Sequence, residues 1–286
     1  MFKSLKNRTP LGWLQLKHDK FRLLTALSGI AFADILIFMQ LGFMNALYTT
    51  NTQYARKIKG DVILTSTQAT NFTQPYTFPR RRLYQAMDVP GVESAEPIYI
   101  GSLSWRNPQN REKTSMTVIG FNPDKPAFDL PEVNRQLDKV KIPDTVLFDK
   151  ASRGEYEEVI AQIEREKNIT TEIERTTVTI GGLFEVGASF QDDGALITSD
   201  QNFMRLFPRK QPGLVSIGVI NLQEGTDAER VRTHLNAYLT EDVRAYTYEE
   251  YVEGELTYIQ NSTAIGFVFS LGTMMGFIVG IVIVYQ

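Results

Sequence analysis

Two apolar stretches, one near each end, limit what this chain can fold into more than any other feature. Residues 23–47, LLTALSGIAFADILIFMQLGFMNAL, carry one acidic or basic side chain, Asp34, and residues 262–286, STAIGFVFSLGTMMGFIVGIVIVYQ, carry no Asp, Glu, Lys, Arg or His. A helix of that length extends ~37 Å, against roughly 30 Å of hydrocarbon in a bilayer. Both are therefore expected to cross a membrane, as segments 23–50 and 259–286. A secretory signal has an apolar core of about 7–15 residues followed by a small-residue cleavage site. The first stretch is longer, and the YTTNTQYARK that follows lacks such a site, so it is read as a retained anchor.

Orientation follows from the basic residues flanking the helices, because an excess of Lys and Arg marks the cytoplasmic side. Lys3, Lys6, Arg8, Lys17, Lys20 and Arg22 precede the first stretch, whereas TYEEYVEGELTYIQN, before the second, has no basic residue. The N-terminus is thus expected in the cytoplasm and residues of about 50–260 in the periplasm, giving a multi-pass protein of the inner membrane. With a net charge of −3 overall, the N-terminal 22 residues positive and the last 25 neutral, the middle region is acidic. That balance excludes a nucleic-acid partner, which would require clustered Lys and Arg to meet phosphates. Residues 1–22, with LGWLQLKHDKFRLL (11–24) running into the first helix, mix Leu and Trp with basic side chains and suit either a segment lying among lipid headgroups or a simple basic flank.

The middle alternates strand and helix signals. DVILTS (61–66) reads as a strand, FPRRRLYQAM (78–87) as a short helix, and the β-rich runs 90–105 and 114–123 as a hairpin turned by RNPQNREK. LVSIGVINL (214–222), TDAERVRTHLNAYL (226–239) and DVRAY (242–246) repeat strand, helix, strand, with Thr226 and Glu229 as a capping box. Two strand–helix–strand units in one sheet make a ferredoxin-like sandwich. Between them, residues 123–212 carry a charged helix (154–167), strands 176–186 and 194–199, and a short helix that Ser199 can cap. The expected fold class is an α+β membrane protein. Two transmembrane helices flank a periplasmic domain built from a ferredoxin-like subdomain (51–122 and 213–258) with an inserted mixed α/β subdomain (123–212).

Chemistry is scarce. His18 and His234 are too few and too far apart in sequence for a His-based metal site, and there is no cysteine to add to them. Gly182, Gly187, Ala188 and Ser189 have the glycine spacing of a phosphate-binding loop, but alanine stands where that loop needs lysine. Asp192-Asp193-Gly194 reads as a turn. No catalytic, metal-binding or cofactor-binding residue is assigned. The membrane segments carry more information. Gly272, Gly276 and Gly280 clear one helix face for close packing, and Gly29 and Ala33 do the same in the first helix. Asp34 lies mid-span, where a charge costs at least ~2.5–3.5 kcal/mol, so it is expected to face protein or water.

A basic lead-in, a helix, an exterior domain of about 200 residues and a small-residue-rich helix together resemble the MacB/FtsX-like permeases of ABC exporters. GWLQLKHDKFRLLTALSGIAFA looks like the opening of that family. TPLGWLQL, RRRLYQAMDVPGVESAEPIYIG, VIGFNPDKPAFDLPEV and QPGLVSIGVINLQ look like its cyanobacterial DevC-type branch. The resemblance implies a non-enzymatic permease working as a homodimer. ATP would be bound and hydrolysed by a separate ABC ATPase subunit, with a periplasmic adaptor (membrane fusion) protein and an outer-membrane channel of the TolC type as further partners. It implies a ferredoxin-like porter subdomain that propels substrate outward, possible glycolipid cargo, and a cytoplasmic coupling segment and two further helices that this sequence does not contain. The alternative carried beside it is a membrane-bound sensor with an extracytoplasmic ligand domain. A tethered enzyme has less support, since no nucleophile, base or metal set emerges.

Overall fold

The computed structural model describes residues 18, 20–72, 74–165, 167, 169–173, 176–189, 191–262 and 264–285. Most of the expected headgroup segment at the N-terminus falls outside these. The chain divides into two compact units, one of residues 1–47 with 259–286 and one of Tyr48–Tyr258.

The first unit holds most of helix α1 (Lys20–Thr52) and, near its other end, helix α9 (Ala264–Tyr285). Leu23–Thr52 is long and apolar enough to cross a bilayer, and the apolar run in α9 is Leu271–Ile281. Among the described residues a second span is therefore not shown.

The second unit is organised by a nine-stranded sheet. Its strands are β1 (Val62–Ser66), β3 (Val92–Arg106), β4 (Lys113–Phe121), β5 (Thr145–Asp149), β6 (Ile169–Ile173), β7 (Thr176–Phe184), β8 (Gly194–Ser199), β10 (Ile217–Leu222) and β11 (Val243–Thr247). They lie in the order β11-β1-β10-β3-β4-β8-β5-β7-β6. The first four, all antiparallel neighbours, are two strand–helix–strand units interleaved, the arrangement of a split βαβ pair. The crossovers carry helix α2 (Arg81–Ala86) and helix α7 (Ala228–Tyr238). The strands of residues 123–212 are not a sheet of their own. β3 and β4 form a long hairpin, Ile98 opposite Phe121 through Arg106 opposite Lys113, and β8 pairs parallel to β4, so they prolong the same sheet. Parallel pairing of strands this far apart in sequence leaves no local signal, which is why the border expected near residue 123 lies inside one continuous sheet.

Local differences have local causes. Helix α2 begins at Arg81, not Phe78, because Phe78 and Pro79 form a two-residue strand, β2, with Leu214–Val215 (β9). The cap of α7 is Asp227 rather than Thr226: its carboxylate accepts the Glu229 amide at 3.0 Å, and the helix opens one residue later than a Thr226 cap requires. Ser199 caps helix α6 (Asp200–Leu206) by accepting from the Asn202 amide at 3.2 Å. After the one-turn helices α3 (Pro131–Asn134) and α4 (Leu137–Val140), helix α5 (Glu157–Glu164) is shorter than the charged run around it.

Every residue of β1, β5 and β8 is buried, because both faces of the sheet are covered. One face carries Val62, Leu64, Leu83, Trp105, Phe148, Val231 and Leu235, and the other Ile63, Ile98, Phe121, Phe128, Leu147 and Ile217. Gly120 marks how closely α6 approaches: a Cβ there would lie 2.5 Å from the Cβ of Phe203, which stacks on Phe207. Gly120→Ala is expected to destabilise this unit by about 1–3 kcal/mol through overpacking. Gly213→Ala, where nothing lies within 4 Å, should change it by less than about 0.5 kcal/mol. Urea denaturation of the two variants checks the contrast.

Candidate functional site

The second face of the sheet also carries Tyr54, Phe72 and Tyr251, and these bring together the segment that follows α1 and the segment that leads towards α9. The leading segment is helix α8 (Tyr248–Ser262), which starts directly after β11. Tyr248 Oη donates to the carbonyl of Arg56 at 2.7 Å, so the two segments touch through a hydrogen bond as well.

Tyr54 is the hub on the α1 side. Its ring stacks on Phe72 with centroids 5.8 Å apart and planes within 10°. Its hydroxyl donates to Asp149 Oδ2 at 3.1 Å. Asp149, at the end of β5, is fully buried and also accepts from the amides of Gly187 (2.7 Å), Val186 (3.2 Å) and Ala151 (3.0 Å). Burial raises its pKa, and the three amides and the Tyr54 hydroxyl act the other way by holding the ionised form. Burial, then the nearby Asp149 charge, raises the Tyr54 hydroxyl well above the usual phenol range, which keeps it a donor. Beside it, Gln53 Nε2 donates to the carbonyls of Gly187 (2.7 Å) and Ala188 (3.2 Å).

The loop reached by these bonds contains the glycine pattern considered for phosphate binding. Gly187 sits at φ +113°, where glycine is favoured, and the amides of Val186 and Gly187 point at the Asp149 carboxylate. A carboxylate of the same chain thus takes the donors a phosphate would use. Beyond it, Asp192 is more than a turn residue. It is buried, and its carboxylate accepts from Ser102 (2.7 Å), Ser115 (2.5 Å) and Thr117 (2.5 Å), tying the loop to β3 and β4. Asp192→Ala strands these hydroxyls and is expected to cost about 2–4 kcal/mol in urea denaturation, with Asp193→Ala, on the more exposed neighbour, costing far less.

On the α8 side, Glu255 is 5% exposed. Its carboxylate accepts from the Phe72 amide and the Tyr251 hydroxyl, yet burial outweighs both and lifts its pKa to about 7. The same burial, with the Glu255 charge adding to it, raises Tyr251 well above the phenol range. Phe72 therefore touches both segments, its ring on Tyr54 and its amide on Glu255.

The residues singled out in the sequence lie elsewhere. Gly272 and Gly276 face α1: a Cβ at the first would meet the Gln40 amide, and at the second the Ile37 side chain. Thr273 Oγ1 lies 3.3 Å from Gln40 Oε1. The cleared face thus receives side chains rather than a bare backbone, and Gly280 has open space. Ala33 is buried and Gly29 half-buried, while Asp34 is exposed, about a quarter-turn away from the Ala33 and Ile37 face. His18 is exposed, and His234 lies on α7. Among the described residues no three His, Cys, Asp or Glu side chains are grouped as a metal site would require.

Neither a family model nor a curated protein matches the chain. Several solved structures resemble it, among them the following three. The periplasmic region of MacB from Actinobacillus actinomycetemcomitans aligns at 10% identity and TM-score 0.44, over 76% of this chain and 99% of that one. The extracellular domain of the noncanonic ABC-type transporter YknZ from Gram-positive bacteria aligns at 13% and 0.41, over 65% and 98%. A domain of a putative permease protein from Porphyromonas gingivalis aligns at 13% and 0.36, over 68% and 89%. At these values the neighbours decide neither fold class nor activity, which rest on the residues above.

Proposed function

We propose that this chain is a permease subunit of a MacB-like ABC exporter, in which the unit Tyr48–Tyr258 is moved by membrane helices and has no bond-making chemistry of its own. The observation that carries the reading is the double attachment at Phe72. The segment leaving α1 and the segment leading to α9 are locked to one another through Tyr54, Phe72, Glu255 and the Tyr248–Arg56 bond. Tyr54 and Gln53 also fasten the α1 side of this lock to Asp149 at the end of β5 and to Gly187. A pull on either helix is then delivered to the sheet as a whole rather than absorbed by a loose linker.

In this reading the second apolar stretch crosses the membrane, the acidic unit lies in the periplasm and Asp34 meets a polar partner within the membrane. The sequence resemblance supplies the assembly: a homodimer, a separate ATPase, a periplasmic adaptor and a TolC-type outer-membrane channel, with a DevC-type glycolipid as candidate cargo. The test is reconstitution with the partner ATPase and adaptor. Deleting residues 53–254 is expected to leave ATP hydrolysis measurable and abolish substrate efflux; undiminished efflux from the deleted form would overturn the reading.

A further inference from the structure

Beside Glu255 lies a cavity of about 130 Å³, lined among others by Thr65, Thr70, Asn71, Tyr246, Glu250 and Glu255. Three features of it need a common explanation. First, Glu255, 95% out of solvent, lines it, and among the described residues no basic side chain does. Buried carboxylates without a positive partner are costly, and evolution usually pairs them or replaces them. Second, Gly254 also lines it, and a Cβ there would meet nothing within 4 Å, so the space is not filled by the helix that supplies the carboxylate. Third, the remaining lining combines the Thr65 and Thr70 hydroxyls, the Asn71 amide and the Tyr246 and Tyr251 side chains with apolar Ala69, Pro75 and Ile217, Glu250 adding a second carboxylate.

The charged and titratable groups around Glu255 are few. Its own helix contributes Tyr251, bonded to it, and Glu250, whose carboxylate accepts the Thr247 amide at 3.0 Å and lies 3.5 Å from Arg232 Nε of α7. From β11 come Tyr246 and, over its ring at 5.7 Å, the exposed Arg244. The described residues of the 67–75 loop, β1 and β10 place only Thr, Asn, Ala, Pro and Ile against the cavity. Among the described lining residues no cation pairs with Glu255, and the volume admits a group of a few non-hydrogen atoms, far smaller than a lipid tail or a peptide.

We propose that this cavity binds a small primary ammonium group, with the Glu255 carboxylate as its counter-ion, the hydroxyl oxygens of Thr65 and Thr70 and the second lone pair of the Asn71 amide oxygen, which already accepts the Gln74 amide at 2.7 Å, as acceptors for its N–H bonds, and the Tyr251 side chain beside it. Three N–H donors suit this set, and an ammonium near an aromatic face gains further from the ring quadrupole. A divalent metal fits worse, since the described residues offer no three-ligand cluster. Binding requires the ionised carboxylate. With half-ionisation at about pH 7, affinity should fall roughly thirty-fold from pH 8 to pH 5.5 as Glu255 takes up a proton. The inference goes beyond the transport reading and stands or falls separately, because its test reads binding alone.

The full chain in phosphatidylcholine nanodiscs is titrated with ethanolamine by calorimetry. Saturable binding is expected at pH 8, at least tenfold weaker at pH 5.5, abolished by Glu255→Gln and retained by Glu249→Gln, an acidic position of the same helix outside the cavity. Tetramethylammonium, which has no N–H, should bind at least tenfold more weakly. Replacing a third of the lipid by phosphatidylethanolamine distinguishes the source of the amine: competition with ethanolamine identifies a headgroup, and unchanged affinity a free amine. Absence of saturable binding at pH 8, or binding indifferent to pH, to Glu255→Gln or to the N–H groups, overturns the proposal.

Discussion

Asp149→Ala is expected to destabilise the Tyr48–Tyr258 unit by about 3–5 kcal/mol, the largest single-residue effect outside the hydrophobic core. The carboxylate is fully buried and receives four donors, three amides and the Tyr54 hydroxyl. Alanine removes every acceptor at once, and a buried donor left unpaired costs about 1–3 kcal/mol, partly recovered by relaxation or water entry. Asp149→Asn keeps the shape and one oxygen but turns an NH2 toward two of these donors, so it should recover only part of the loss and cost about 2–3 kcal/mol. Tyr54→Phe removes one donor of the set, and a double-mutant cycle with Asp149→Asn should give a coupling energy of about 0.5–3 kcal/mol, as expected of residues sharing one hydrogen bond. Urea unfolding followed by the fluorescence of buried Trp105 measures all four forms.

Glu255→Gln should act in the opposite direction, stabilising the same unit by about 3 kcal/mol at pH 8 and hardly at all at pH 4. The folded carboxyl keeps its proton up to about pH 7, whereas the unfolded one releases it near 4.5. Between those values the folded state binds more protons, so stability is lost as pH rises through the window, by about 1.36 kcal/mol for each unit of pKa difference. Glutamine, neutral throughout, removes that slope while still accepting from the Phe72 amide. Denaturant midpoints at pH 4, 6 and 8 check it: the wild type should weaken towards pH 8 and the variant should not. A residue that weakens the fold at neutral pH is better explained by use than by packing.

What the sequence reveals and conceals here follows from range. The apolar ends, the β3–β4 hairpin and the cap at Ser199 depend on neighbours within a few residues, and composition or spacing exposes them. The Tyr54–Asp149 bond joins positions 95 residues apart, and nothing in either local stretch marks it. Asp149 looks like a strand-end acid. Gly187 was visible as an unusual glycine, but its role became clear only with the carboxylate that its amide faces. Glu255 did leave a signal: it stands four residues after Tyr251, at the position of helix α8 that continues the buried side, amid a run of acids that otherwise reads as a solvated face. The insertion at 123–212 was legible as elements and not as architecture, because the parallel β4–β8 pairing that merges it with the flanking halves is non-local.

The most direct test of whether this unit works outside the inner membrane uses the absence of cysteine from the chain. A single exposed thiol introduced by Glu93→Cys is treated with a membrane-impermeant maleimide on intact spheroplasts, then again after lysis. Full labelling before lysis is the expected result; labelling that appears only after lysis would put the unit in the cytoplasm and contradict the exporter reading.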